Sequence, residues 1–248
     1  MGVVGWREDK RKMSVQPYVM DIEKTEIWIT CNEPLEGDGR AVRGFLGNMY
    51  RNRPEFHGHI GDRLIYRHPL IQYKIFGGSA LVVGLKDGAY LLKAVPRLKF
   101  IEIYFKKHFI IKQSTTNLFV SFGLAENTVK YTFVTPWIGL NKKNYQRYLK
   151  LKEKRKNTTD MLNEILKANI ISMCKSVGYT AKSEIKVKSD LKEVSAVEVK
   201  EGVRLTAFKG NFKTNFVIPE FWGIGGKVSL GYGTVKCING GNILNGSN

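Results

Sequence analysis

Residues 71–85 read IQYKIFGGSALVVGL, and this stretch decides the fold. Ile71, Tyr73 and Ile75 alternate with Gln72 and Lys74, the two-residue period of a half-buried strand. Gly77-Gly78 then supplies a tight turn into ALVVGL (80–85), the other arm of a hairpin. Downstream, Asp87 opens a short helix, AYLLKAV, that Pro96 stops, and FIEIYF (100–105) is a further strand. Upstream, IWITC (27–31) reads as a strand ended by the turn-rich NEPLEGDG. Asp38 then caps a helix whose Val42, Phe45, Leu46 and Met49 recur at i, i+3, i+4 and i+7.

The resulting order, β-α-β-β-α-β, predicts an α+β ferredoxin-like (RRM-like) domain. HFIIK (108–112) and NLFVSFGL (117–124) read as an added hairpin. A second half restarts with the strand VKYTFVTPWIGL (129–140), followed by a basic helical stretch, KKNYQRYLKLKEKRK (142–156). Asn157 caps another helix, in which Leu162, Leu166, Ile170, Met173 and Val177 share one face before Gly178 ends it. The rest is β-like: SEIKVK, EGVRLTAFK, TNFVIP and VSLGYGTVKCI. The expected organisation is a loose leader at 1–20, an N-terminal ferredoxin-like domain at 21–125, and a second, degenerate one at 126–248.

Among 248 residues, 43% are hydrophobic, enough to bury a core. Forty Lys and Arg oppose 22 Asp and Glu, a formal charge of +18 that draws polyanions, nucleic acid above all. Cys31, Cys174 and Cys237 are scattered and form no C-x-x-C pair, which argues against a zinc knuckle or disulfide framework and for a reducing cytoplasm. MGVVGWREDKRK lacks the apolar stretch of a secretory signal, and no run approaches the length of a membrane span, so no membrane partner is expected.

Gly223-Ile-Gly-Gly-Lys-Val-Ser-Leu-Gly-Tyr-Gly233 is the most specific feature. Gly223, Gly225, Gly226, Gly231 and Gly233 let backbone come close to a ligand, so that N–H groups can point at phosphate oxygens. Lys227 adds charge, and Tyr232 offers a face for base stacking. A hairpin with glycine-rich turns is the plain structural alternative. A P-loop is excluded because no G-K-[ST] ends the motif.

The segment FHGHIGDRLIYRHPLIQY (56–73) holds three of the four histidines, interleaved with Arg63 and Arg67. Histidine exchanges protons near neutrality. RNA carries its own nucleophile in the 2′-OH, so a nuclease needs a base, an acid and cations to steady the phosphorane. That chemistry calls for no metal and no cofactor. A metal reading of H-x-H would need Asp62 and His68 as further ligands and lacks a spaced motif.

The G-h-G-x5-G-h-G loop, with h apolar, resembles the signature of the CRISPR-associated RAMP superfamily. Residues GFLGNMY through FHGHIGDRLIYRHPLIQYKIFGGSALVVGL look like the archaeal type I-B branch of its repeat-processing endoribonucleases. The resemblance implies two ferredoxin-like domains and metal-independent cleavage of CRISPR repeat RNA. The products would carry a 5′-hydroxyl and a 2′,3′-cyclic phosphate or 3′-phosphate. It also implies precursor and mature guide RNA as partners, and leaves a homodimer and an interference complex open. His57 and His59 are carried over as acid–base candidates and Tyr66 as a helper. Arg63, Arg67, Gly223, Gly225, Gly226, Lys227, Gly231, Tyr232 and Gly233 are the expected RNA contacts. The competing reading is a non-catalytic RAMP subunit that coats guide RNA, which would share the glycine loop but not need the histidines.

Overall fold

The computed structural model describes residues 18–60, 63–64 and 67–238, of which 59–60 and 63–64 are described by backbone alone. In chain order the elements are β1 (Val19–Cys31), α1 (Gly39–Met49), α2 (Pro54–His57), β2 (His59–Ile60), β3 (Arg63–Leu64), β4 (Ile71–Phe76) and β5 (Ser79–Leu85). There follow α3 (Asp87–Lys93), β6 (Phe100–Ile103), β7 (Lys106–Phe133), α4 (Lys142–Glu153), α5 (Thr159–Ser176), β8 (Val187–Lys200), β9 (Val203–Val217), a 3-10 turn (Val228–Leu230) and β10 (Val235–Cys237). The class is α+β, as the element order predicts.

The first half has the expected hairpin: β4 and β5 pair antiparallel, from Phe76↔Ser79 to Ile71↔Gly84, and β5 pairs β1. Asp38 caps α1, its side chain accepting from the Arg40 N–H at 2.8 Å. Val42 and Leu46 are fully buried under it, whereas Met49, expected on the same face, is 44% exposed. At the last turn Gly47, rather than Met49, meets the next element.

The fourth strand of this unit is not FIEIYF. That run forms the four-residue β6, which pairs only with the start of β7 through a turn in which Tyr104 and Phe105 both have φ > 0. Such a turn matches the right-handed twist of a hairpin. The place beside β1 belongs to β7, from Ile110↔Cys31 to Gly123↔Val19. HFIIK, NLFVSFGL and VKYTF, read as separate strands, are therefore one strand of 28 residues, whose register shifts against β1 between Lys112 and Ile110 and against β9 between Leu124 and Val129. β1 itself begins at Val19, inside the stretch read as a leader; residues 1–17 lie outside the described residues.

β7 belongs to both halves. Its N-terminal part completes the order β4-β5-β1-β7, and its C-terminal part pairs β9 on one side and β10 on the other, giving β10-β7-β9-β8. These are the same antiparallel arrangement twice, with the 3-10 turn standing where the second helix of a full ferredoxin-like unit would be. α5 packs across the second unit on Leu162, Leu166, Ile170, Met173 and Val177, all nearly inaccessible. Asn157 does help to begin it, accepting the Thr159 N–H at 2.8 Å, and Gly178 ends it at φ 71°.

Candidate active site

α1 and α2 meet at a glycine. A Cβ on Gly47 would lie 3.1 Å from the Cβ of His57, so glycine here lets α2 sit against α1. Beneath α2, the Phe56 carbonyl accepts from the Tyr73 hydroxyl on β4 at 2.7 Å, and Phe56 stacks on Tyr50 at 4.4 Å. Pro54 opens α2 and Gly58, left-handed at φ 75°, closes it.

His57 is therefore the last residue of a pinned helical turn, and it is half-buried. Its Nε2 is 3.0 Å from the Arg51 carbonyl oxygen. A carbonyl can only accept, so Nε2 carries a hydrogen. His59 follows after Gly58 in β2, its backbone paired with Leu64, and Ile60 pairs with Arg63. The side chains of His59 and Arg63 are not described, and Tyr66 and Asp62 lie outside the described residues. Arg67 is exposed.

The glycine loop sits against this same region. Arg43, on α1, donates through Nη2 to the His57 carbonyl and through Nη1 to Ser229 Oγ at 3.3 Å. Burial draws its guanidinium pKa down from the ordinary value. No motif singled it out, although its place four residues before Gly47 on one helix face was available.

A second tie lies on β4. Gln72 and Lys74, expected on a solvated face, are 0% and 1% exposed. Gln72 Oε1 accepts from the Gly223 N–H at 2.7 Å and from Lys74 Nζ at 3.1 Å, while its Nε2 reaches the Gly223 carbonyl at 3.4 Å. Gln72 Nε2 also lies 3.2 Å from His68 Nε2, which must then be the accepting nitrogen. Burial, with the Lys74 charge beside it, pulls the His68 pKa down to about 4. His68 is thus a neutral structural residue at neutral pH, and burial lowers the Lys74 pKa well below its usual range.

Much of the loop's amide hydrogen bonding is taken up by backbone carbonyls of the loop itself and of the segment after β7. The N–H groups of Ile224, Gly226 and Gly233 donate to Gly233 O at 2.9 Å, Ile138 O at 2.7 Å and Pro136 O at 2.8 Å. Gly233 has φ 65°, and a Cβ there would collide with the Ile224 carbonyl. Lys227 is exposed at the outer bend. Tyr232 is half-buried against Ile138, Val199 and Ala207, and its hydroxyl donates to Asp38 Oδ2 at 3.3 Å. Burial and the Asp38 carboxylate raise its pKa. The loop is thereby fastened to the cap of α1, to β4 and to the His57 turn. Among the described residues no cluster of three His, Cys, Asp or Glu is arranged to hold a metal ion, and no helix is long and apolar enough to cross a membrane.

A family model described as the Cas6b N-terminal domain matches residues 20–117, and one described as the Cas6b C-terminal domain matches 123–238. A crystal structure of Cas6b is 35% identical, with the match covering 88% of this chain and 100% of that one at a TM-score of 0.80. A second crystal structure, described as the CRISPR RNA processing endoribonuclease Cas6b, is 32% identical over 88% of this chain and 100% of that one, with a TM-score of 0.67. An uncharacterized protein of Methanocaldococcus jannaschii is 47% identical over 118 residues, 47% of this chain and 78% of its own.

Proposed function

The chain belongs to the Cas6b family, and from that premise we propose that it is an endoribonuclease that cuts CRISPR repeat RNA in precursor transcripts in the cytoplasm. The observation that carries the reading is the junction at His57. The imidazole ends a pinned turn, and Arg43 ties that turn to the glycine loop. An acid–base group and a basic, glycine-rich surface then belong to one region.

The reaction needs only groups that this chain carries. His57 or His59 takes the proton of the 2′-OH, and the oxygen attacks the adjacent phosphorus. The other histidine protonates the departing 5′-oxygen, leaving a 2′,3′-cyclic phosphate upstream and a 5′-hydroxyl downstream. Tyr66 is proposed to position the 2′-OH or the phosphate. Arg63, Arg67 and Lys227 supply positive charge as the phosphorane forms. Metal is not required by this scheme.

The test is cleavage of a labelled repeat RNA in EDTA. Wild type should cut at one position, and a 2′-deoxy substitution there should abolish the cut. His57→Ala and His59→Ala should each slow cleavage about 10²–10⁴-fold while binding persists. Tight binding with no cleavage by wild type would refute the enzyme and point to an RNA-coating subunit.

A further inference from the structure

The face of the second unit opposite α5 carries lysines set in register. Tyr131, Ser189 and Phe212 point toward the helix side: Phe212 is 1% exposed and Ser189 bonds Asn163 of α5 at 2.6 Å. The alternate residues point the other way. Lys130 on β7 pairs with Lys213 on β9, and Lys213 pairs with Lys188 on β8. Three lysines therefore stand side by side across three strands, at steps of about 4.8 Å. In the next row Thr132 pairs with Asn211 on one side and Lys236 on the other, and Asn211 pairs with Asp190. Lys192 and Lys209 pair in the row after that.

Like charges set directly opposite one another lower the stability of a sheet. Here two such pairs, Lys130↔Lys213 and Lys188↔Lys213, share one row, and a third, Lys192↔Lys209, lies close by. Asp190 is the one carboxylate within these rows. Among the described residues, none of the five lysines takes part in an ion pair, although ion pairs form elsewhere at Lys24, Lys93, Lys106, Lys152 and Lys167. A ligand of opposite charge would relieve the repulsion.

The chemistry of the face selects the ligand. The residues between the lysines are Thr132, Asn211 and Asp190, and the exposed Ile238 beside Lys130 is a single side chain, far less apolar surface than insertion into a bilayer interior needs. The rows contain no aromatic residue for stacking on a base and no arginine fork for reading one. Point charges on flexible stems suit a sugar–phosphate backbone, which they hold without sequence choice. This face lies at the β8 end of the sheet, opposite the β4 edge that anchors the glycine loop.

We propose that the Lys130–Lys213–Lys188 row, with Lys192 and Lys209, is a second RNA surface that holds the backbone of the strand leading away from the cleaved phosphate. It rests on the reading of RNA as substrate, and its test is binding rather than cleavage. The probe is a fluorescent repeat RNA with single-stranded flanks, and the background is His57→Ala/His59→Ala to prevent cutting. Affinity is measured from 50 to 200 mM salt for that protein, for added Lys130→Gln/Lys188→Gln/Lys213→Gln, and for the matching lysine-to-arginine triple. A control removes three charges elsewhere, at Arg97, Lys99 and Lys107.

Loss of three phosphate contacts should reduce the salt slope by about 2, so that the parent loses roughly 20-fold more affinity than the glutamine triple across this range. The arginine triple should keep the parent slope, and the control should change it by less than half as much. Equal slopes in the glutamine triple and the parent, or equal changes in the triple and the control, would overturn the proposal. So would a lower melting temperature of the free glutamine triple at low salt, because a row that repels itself should not stabilise the sheet. Failure of wild type to cut the repeat would count against the enzyme reading alone.

Discussion

Acidification should loosen the seam between β4 and the glycine loop through one residue, His68. Its pKa falls from 6.5 to about 4 in the folded protein, because the ring is buried and Lys74 lies beside it. The unfolded chain therefore binds a proton that the folded chain refuses between those values. The contribution of His68 is fully present above pH 6.5 and is lost progressively as pH falls toward 4. A displacement of that size corresponds to about 3 kcal/mol. Urea unfolding at pH 7, 5.5 and 4 measures it, with His68→Gln as the comparison, since glutamine can still hydrogen-bond but does not titrate. Wild type should lose about 3 kcal/mol more than the variant between pH 7 and 4, the carboxylates titrating alike in both. Lys74→Met, which removes the second cause, should shrink the difference. Parallel stability curves for wild type and His68→Gln would refute the reasoning.

Other substitutions probe the same seam. Arg43→Met should slow repeat cleavage roughly 10²-fold with little change in RNA affinity, because it releases the His57 turn from Ser229; single-turnover kinetics separates the two effects. Gln72→Leu should cost about 2–4 kcal/mol in urea unfolding, since the Gly223 N–H and the Lys74 amine lose a buried acceptor. Gly233→Ala should lower stability by about 2–4 kcal/mol, as a side chain at φ 65° would also strike the Ile224 carbonyl. Calorimetry would register that loss as a lower melting temperature.

Much of the architecture is legible before any coordinates. The hairpin at 71–85, the cap at Asp38 and the apolar stripe of α5 each follow from a local period or a local side chain, and each is present. The long strand β7 is not legible, because the pairing partners that keep it extended are distant: β1 on one flank and then β9 and β10. The polar run QSTTN (113–117) looks like a loop on composition alone. In the fold it pairs with residues 25–29 of β1, and Gln113 caps the backbone at Leu98 at 2.9 Å. Of the site, the histidine and glycine motifs stand out as clusters. Arg43 and Gly47 do not, since their meaning comes from what α1 touches rather than from what surrounds them in the chain.

Gln72 and Lys74 show why polarity along a strand can mislead. Alternation of Ile71, Tyr73 and Ile75 with polar neighbours ordinarily marks a face open to water. Here the polar face meets the glycine loop, whose irregular backbone does not satisfy all of its own N–H and C=O groups through a regular ladder. An apolar strand face would leave the Gly223 amide buried without an acceptor, at about 1–3 kcal/mol. Gln72 supplies one acceptor and one donor to Gly223, and its neighbours His68 and Lys74 complete its own hydrogen bonding. Both neighbours are drawn toward their neutral forms by burial, which removes most of the penalty of enclosing two bases. The polar residues of β4 therefore do for the glycine loop what a neighbouring strand would do. That work fixes where the loop lies relative to Arg43 and His57.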